Sequence, residues 1–265
     1  MNGVYPIDRK FLKGRSKEWM RTAVPAAWLV ALVYLLATTV VIELVQAFLP
    51  VQQTMLEVED AMMAGNLYQA QYAIQSLFRG TQGVMIIFVT VLVSLYSTIV
   101  NYGYVSYTMG VVRGQAPGYG ELFSRFYMAG KIILAEVLAY LLTFLWSLLL
   151  IIPGLIASYR YRMVPYILLD DPDCPVMEAF RRSKALMRGR KWELFVLDYS
   201  FLLWLLGASA LTGVAGAIAY PVSVVVSIAC NLFLVPYQMF TFSQWYDAIR
   251  AQDQSAQNEQ QQPQY

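Results

Sequence analysis

Arg15-Ser16-Lys17-Glu18-Trp19-Met20-Arg21 and Arg182-Ser183-Lys184-Ala185-Leu186-Met187-Arg188 are two copies of one pattern, R-S-K-x-x-M-R, and each precedes a long apolar run. Cationic segments flanking a membrane-length stretch stay on the cytoplasmic side of a bilayer, so the pair reads as a threading signal. Its recurrence predicts a chain of repeated units, each a basic helix followed by a hairpin.

Outside these copies the composition is that of a chain dissolved in lipid. Of 265 residues, 58% are hydrophobic and only 14% charged, and the mean hydropathy is +0.49. Soluble domains carry about 25% charged residues. A net charge of +2 gives no case for nucleic acid as a partner. Histidine is absent, which removes the commonest general base and metal ligand. Cys174 and Cys230 read as two free thiols with no disulfide between them. Residues 1–22 are too long and too charged for a signal peptide, so the first apolar run is expected to stay as a span.

Apolar stretches at 23–42, 84–104, 132–152, 194–211 and 214–242, the last crossing at about 217–242, are long enough to span. A helix needs about 20 residues, with about 17 as a lower limit. The stretch 155–169 is shorter and carries Arg160 and Arg162, so charge must decide it. Residues 1–22 hold Arg9, Lys10, Lys13, Arg15, Lys17 and Arg21 against Asp8 and Glu18, which predicts a cytoplasmic N-terminus. The loop at 50–83 has Glu57, Glu59 and Asp60 against Arg79 and is expected outside. Arg113, Arg125 and Lys131 return the chain inside, and so do Arg181, Arg182, Lys184, Arg188, Arg190 and Lys191. An even number of crossings must separate these two basic segments, so 155–169 is expected to cross or to form a re-entrant hairpin with 132–152. Pro153-Gly154 supplies the turn. The expectation is therefore an all-α polytopic membrane protein of about six transmembrane helices. They form three hairpins, with cytoplasmic amphipathic helices and both termini cytoplasmic. The Gln-rich stretch 248–265 is expected to be a disordered tail.

The second basic segment, 175–191, has the wheel of a helix lying in the headgroup plane. Val176, Ala179, Phe180, Ser183, Leu186 and Met187 share a face, and Arg181, Lys184 and Arg188 lie beside it. Arg181, Arg182, Lys184, Arg188, Arg190 and Lys191 are the candidate contacts to anionic headgroups. Glu121–Lys131 has a related pattern, and Val164-Pro165-Tyr166 recurs as Val235-Pro236-Tyr237 near the inner ends of two spans. Three units, each an interfacial helix plus a hairpin, fit this spacing, and parallel repeats are a known membrane architecture.

The run Ile151-Ile152-Pro153-Gly154-Leu155-Ile156, then Ser158-Tyr159, Tyr161, Met163 and Pro165-Tyr166-Ile167-Leu168, carries a resemblance. So do Asp170-x-Pro172, Ser183-Lys184, Met187-x-Gly189, Lys191-Trp192, Leu194-Phe195, Ser200-Phe201 and Trp204, with Arg113-Gly114 and Leu122-Phe123-x-x-Phe126 earlier. Together they resemble the bacterial domain-of-unknown-function 975 (DUF975) family of integral membrane proteins. The resemblance covers about 10–249 and is most specific over 151–204. It extends more distantly to the membrane part of some glycerophosphodiester phosphodiesterases, whose catalytic domain is a separate soluble module that these residues do not contain. It implies a fold and a location and no activity. The acidic, Gln-rich loop 50–83 departs from the family pattern, as do the charges at Arg160 and Arg162.

Ionisable groups at membrane depth are functional candidates by default, and Glu136, Arg160, Arg162 and Asp198 qualify. Arg160 and Arg162 point about 200° apart on a helix, so one can snorkel while the other faces the bundle. An Arg–carboxylate pair joining the second hairpin to the fifth span would line a polar cavity; the plainer expectation is a structural or interfacial pair. Asn101, Asn231 and Gln238 are expected to bridge helices. Gly207, Gly213 and Gly216 with Ala208, Ser209 and Ala210 are expected to form a close-packing surface. No zincin, nucleophile-elbow, Walker or CxxC motif occurs. Asp170-Asp171-x-Asp173 reads as a turn rather than a cation loop. The function expected is thus a non-enzymatic scaffold or accessory of the cell membrane, without cofactor, whose partners are the bilayer and a membrane or envelope protein. The alternative is a small-solute or lipid-handling transporter using the intramembrane charges.

Overall fold

The computed structural model describes residues 7–42, 45, 49 and 51–261, leaving aside the side chains of 51, 52, 220, 221 and 259–261. Every element among them is helical. Helix α1 (Arg9–Thr22) leads to α2 (Ala27–Leu35), which continues as a π turn over Leu36–Val40. Two shorter helices follow, α3 (Val51–Met63) and α4 (Leu67–Leu77), and then the long α5 (Gly80–Val112). A 3-10 segment (Tyr119–Met128) feeds α6 (Ala129–Leu149), and the chain turns back through α7 (Ile151–Tyr161) and α8 (Val164–Asp170). Last come α9 (Val176–Leu186), α10 (Lys191–Ile218) and α11 (Tyr220–Gln261).

Local chemistry sets these boundaries. The Asp8 carboxylate accepts from the Lys10 amide at 2.9 Å and caps α1, while Arg21 sits in its last turn against the helix dipole. Asn66 caps α4 in the same way through the Gln69 amide. Both tight helix corners pivot on one extended residue, Leu150 (φ −165°, ψ 151°) and Ala219 (φ −166°, ψ 143°). Pro153 and Pro221 follow within the first turn of the next helix, where a missing amide hydrogen costs nothing. At the first corner a Cβ on Gly154 would fall 2.9 Å from Ser147 Cα, so only glycine lets α6 and α7 approach this closely.

Among the described residues four helices are long and apolar enough to cross a membrane, Gly80–Val112, Tyr119–Leu149, Lys191–Ile218 and Val222–Asn258. A fifth crossing is added if Arg9–Thr22 and Ala27–Val40, bent by 87°, are counted together. α1 is too charged to enter hydrocarbon, and the bend sets it nearly at a right angle to Ala27–Val40. The stretch 155–169 is not one continuous helix: it breaks at Arg162-Met163, because Pro165 in the first turn of α8 cannot extend the hydrogen bonding of α7. The sequence expectation for the tail is corrected, because α11 runs on to Gln261; residues 262–265 lie outside the described part. Ala, Gln and Arg are good helix formers. The Gln257–Asp253 pair adds local support at i,i+4.

The core lies at one end, the basic end, where the 3-10 segment packs on α5, α9 on α7 and α8, and α1 on α11. There Val100, Tyr104, Tyr107, Leu168, Met187, Phe240 and Trp245 are all within 1% of complete burial. Toward the corners the bundle opens, and Leu149, Leu150 and Ile151 are 70, 68 and 85% exposed. An apolar belt of this extent requires an apolar solvent. Several of these helices insert in a membrane.

Candidate functional site

The basic end is held by charge. Asp170, at the end of α8, accepts from Arg113 at 2.5 Å, from Arg250 at 2.6 Å and from the Tyr246 hydroxyl at 2.7 Å. Arg113 also grips Asp247 at 2.6 Å. One carboxylate thus ties α5, α8 and α11. Asp171 pairs with Arg182 of α9 at 2.9 Å, so Asp170-Asp171 is engaged by arginines. A second cluster seats the 3-10 segment, with the Arg125 guanidinium donating to both Glu121 and Ser106 at 2.6 Å.

The repeated heptapeptide has a function in packing that its charge does not reveal. Its two serines are completely buried. Ser16 Oγ lies 2.9 Å from Thr241 Oγ1 and accepts from Gln244 at 2.8 Å, fastening α1 to α11. Ser183 Oγ donates to the Arg160 carbonyl at 2.8 Å, fastening α9 to α7. Lys13, beside Ser16, donates to Ser200 at 2.6 Å. Burial, together with Arg9 and Lys17, pushes its ammonium below the ordinary lysine value.

The candidate headgroup contacts divide. Arg181, Lys184 and Arg188 face outward, with Arg181 also bridging to Glu178 at 2.5 Å. Arg182 is engaged by Asp171 and Glu178, and Lys191 is half-buried. Arg190 is corrected: it is 7% exposed and donates to the Ile249 carbonyl and to Gln252 at 2.9 and 3.1 Å. It closes the α10–α11 hairpin and has no headgroup to meet.

Of the deep charges, Arg162 and Asp198 do meet, at 3.4 Å, joining the second hairpin to α10. They line neither of the two cavities described below. Arg162 also lies 5.1 Å over the Phe242 ring and Arg160 lies 5.9 Å over Trp146. With side-chain exposures of 45% and 19%, the Arg162–Asp198 pair should couple by about 0.5–1 kcal/mol. A thermal-unfolding cycle of Arg162→Ala, Asp198→Ala and the double variant measures it, and strict additivity would remove the pair from the account.

The run 151–204 therefore holds the first corner, the α7–α8 break, the Asp170 junction and the buried Ser183. Residues 148–253 match the family model of DUF975, a protein of unknown function. No curated protein and no solved structure matches the chain. The DUF975 segment contains Asp170, Asp198, Arg250 and both corners, whereas Arg113, α1 and the 3-10 segment stand outside it.

Also outside the DUF975 segment lies a cavity of about 980 Å³, between α2, α5, α6 and the helices α3 and α4. Glu136 is in its wall, and neither Arg160 nor Arg162 is. Asn101, at the same site, donates to the Tyr34 hydroxyl at 3.2 Å and bridges α5 to α2 as expected. Asn231 instead bonds within its own helix, to the Ser227 carbonyl. The glycine surface is corrected at Gly207 and Gly213, where nothing lies within 4 Å of a Cβ, whereas a Cβ at Gly216 would stand 3.6 Å from Ser223 Cβ, in packing contact with α11. Gly207 opens onto an apolar groove of about 580 Å³ with Trp204, Cys230 and Phe233.

Proposed function

We propose that this chain is a non-enzymatic, multi-pass protein of the cell membrane that acts as a scaffold, its basic end a rigid cytoplasmic platform. The observation that carries this reading is the Asp170 junction. Charges at the basic end are engaged in holding three helices together, while Arg181, Lys184 and Arg188 remain directed outward toward anionic headgroups or a partner.

Six crossings in three hairpins fit the packing. α1 rests on α11 through Ser16 and Thr241, which supports an even number of crossings between them. Five are available by length, and α7 with α8 supplies the sixth. Their 20 residues from Ile151 to Asp170 would rise at most about 30 Å across the break at Arg162-Met163, a length close to the hydrocarbon thickness. Lys131 at the start of α6 donates to the Pro172 carbonyl, so this hairpin returns to its starting level. Each amphipathic segment seats on the returning helix of the preceding unit, and α1 closes the ring on the last. Val100-Asn101-Tyr102 in α5 aligns with Val164-Pro165-Tyr166 and Val235-Pro236-Tyr237. Six residues after each valine stand Ser106, Asp170 and Thr241, all of them inter-helix ties.

A photo-reactive residue placed at Arg181 or Met177, both outward on α9, tests the scaffold reading in cells. A discrete protein adduct is expected. Adducts to lipid alone would favour a second reading, small-solute or lipid handling, which the Glu136 cavity supports.

A further inference from the structure

The 980 Å³ cavity is amphiphilic in an ordered way. Ser94, Ser97, Thr98 and Asn101 line it from α5, and their spacing of 3, 1 and 3 places them on one face of that helix. Glu136 and Tyr140, one turn apart on α6, stand in the same wall. From Ile86 to Asn101 the lining of α5 rises about 22 Å, so the cavity is elongated along the bundle. Met55, Ile74, Leu77 and Phe78 of the α3–α4 segment line it as well and supply an apolar cover. The volume is at the upper end of ligand pockets, about 300–1,000 Å³.

Two polar features in the wall are incompletely served. Ser97 Oγ is buried and has no hydrogen-bond partner among the described residues, and buried polar atoms are ordinarily paired. Glu136 is in none of the ion pairs among the described residues; its carboxyl stands beside the Tyr102 hydroxyl. Carboxylates at membrane depth ordinarily face a counter-ion or a pathway. Among the described residues every other ionisable side chain lining the cavity is a tyrosine, so none of them offers Glu136 a cation.

We propose that this cavity binds a cationic amphiphile, an amine head on a single apolar chain, with Glu136 as counter-ion, the α5 hydroxyl face receiving the head, and the chain running toward the α3–α4 cover. An anionic head would meet the carboxylate, and a neutral one would leave it uncompensated. The inference deepens the lipid-handling reading and shares its cavity, but equilibrium binding tests the site whether or not anything is carried across.

The test uses the full chain in phosphatidylcholine nanodiscs, with radiolabelled dodecylamine, dodecanol and dodecanoate as probes of equal chain length. Saturable binding of dodecylamine, at least 10-fold tighter than of the other two, is expected. Glu136→Gln should remove that preference, bringing dodecylamine and dodecanol to similar affinity, and Ser94→Phe, which fills part of the cavity from α5, should weaken all three probes. Competition from sphingosine, a single-chain amine of lipid origin, at the affinity of dodecylamine would assign the site to a membrane-derived amine, and competition from short-chain alkylamines alone to a free amine. Equal binding of the three probes, or a Glu136→Gln protein that keeps the amine preference, would overturn the proposal. Solute flux in vesicles is a separate readout, so loss of the site and loss of the handling reading are distinguishable.

Discussion

Gly103→Ala, a single added methyl group, is expected to destabilise the protein by about 3 kcal/mol, the upper end of the ordinary cost of overpacking. A Cβ at position 103 would stand 2.1 Å from the Leu122 carbonyl oxygen, 2.5 Å from its carbonyl carbon and 2.8 Å from its Cα. All three are backbone atoms and cannot rotate aside. The methyl must therefore push the 3-10 segment off α5. That movement strains the Arg125–Glu121–Ser106 cluster, whose contacts are all 2.6 Å or shorter, and uncovers the fully buried Leu122. Two other glycines calibrate the experiment. At Gly110 the nearest atoms are Pro117 Cγ at 3.1 Å and Gln115 Oε1 at 3.2 Å, side-chain atoms that can yield. Gly207 has nothing within 4 Å, so alanine there adds only helix propensity, a gain of up to about 1 kcal/mol. Thermal unfolding of the detergent-solubilised variants should rank them Gly103→Ala far below Gly110→Ala, with Gly207→Ala at or above the parent. A Gly103→Ala protein melting with Gly207→Ala would show that the 3-10 segment does not seat on α5 as described.

What could be read in advance followed from periodicity and charge. Four of the apolar runs coincide with helices long enough to span, and the wheel over 176–187 put Ser183 and Met187 on one face of a helix expected to lie in the headgroup plane, a face that is instead buried against the neighbouring helices. A wheel does not say what a buried serine bonds to. Ser16 finds Thr241 and Gln244 more than 220 residues away, and Ser183 finds a main-chain carbonyl on α7. Pairings of that range leave no local trace. Arg190 looked like one more cation of a basic run, and its burial is set by the end of α11, a stretch whose Gln-rich composition resembled a tail. The third copy of the Val-x-Tyr pattern was hidden by its middle residue, since Asn101 in α5 replaces the proline that makes the other two conspicuous. Depth alone singled out Glu136, but its cavity depends on a cover from α3 and α4, whose mixed polarity carries no membrane signal. The Arg162–Asp198 contact was legible as a pairing across elements and not as a feature of either cavity.

The second large effect is expected at Asp170. Its side chain is only 8% exposed, against 32% for Arg113 and 44% for Arg250. Asp170→Ala leaves Arg250 without its carboxylate and the Tyr246 hydroxyl without its acceptor, while Arg113 keeps Asp247. Removing one partner of a buried ion pair costs about 3–5 kcal/mol. Because both arginines reach water, the lower figure applies, and solvent screening reduces what each contact contributes. A loss of about 3 kcal/mol corresponds to a fall in melting temperature of roughly 6–12 °C for a chain of this size. Asp170→Asn keeps the shape and one acceptor oxygen and should lose about half as much, because hydrogen bonds to a charged group are about twice as strong as neutral ones. Asp247→Ala should also be milder, since its carboxylate is 26% exposed and Arg113 retains Asp170. The decisive comparison is the double variant Asp170→Ala/Arg250→Ala. If the loss comes from a stranded cation, deleting that cation recovers part of the melting temperature lost by Asp170→Ala alone, a coupling that independent sites do not show. Melting of Asp170→Ala within about 2 °C of the parent, a shift worth no more than about 1 kcal/mol, would mean that Asp170 contributes little to holding α8 against α5 and α11. The charge collar would then no longer support the reading of this end as a rigid platform.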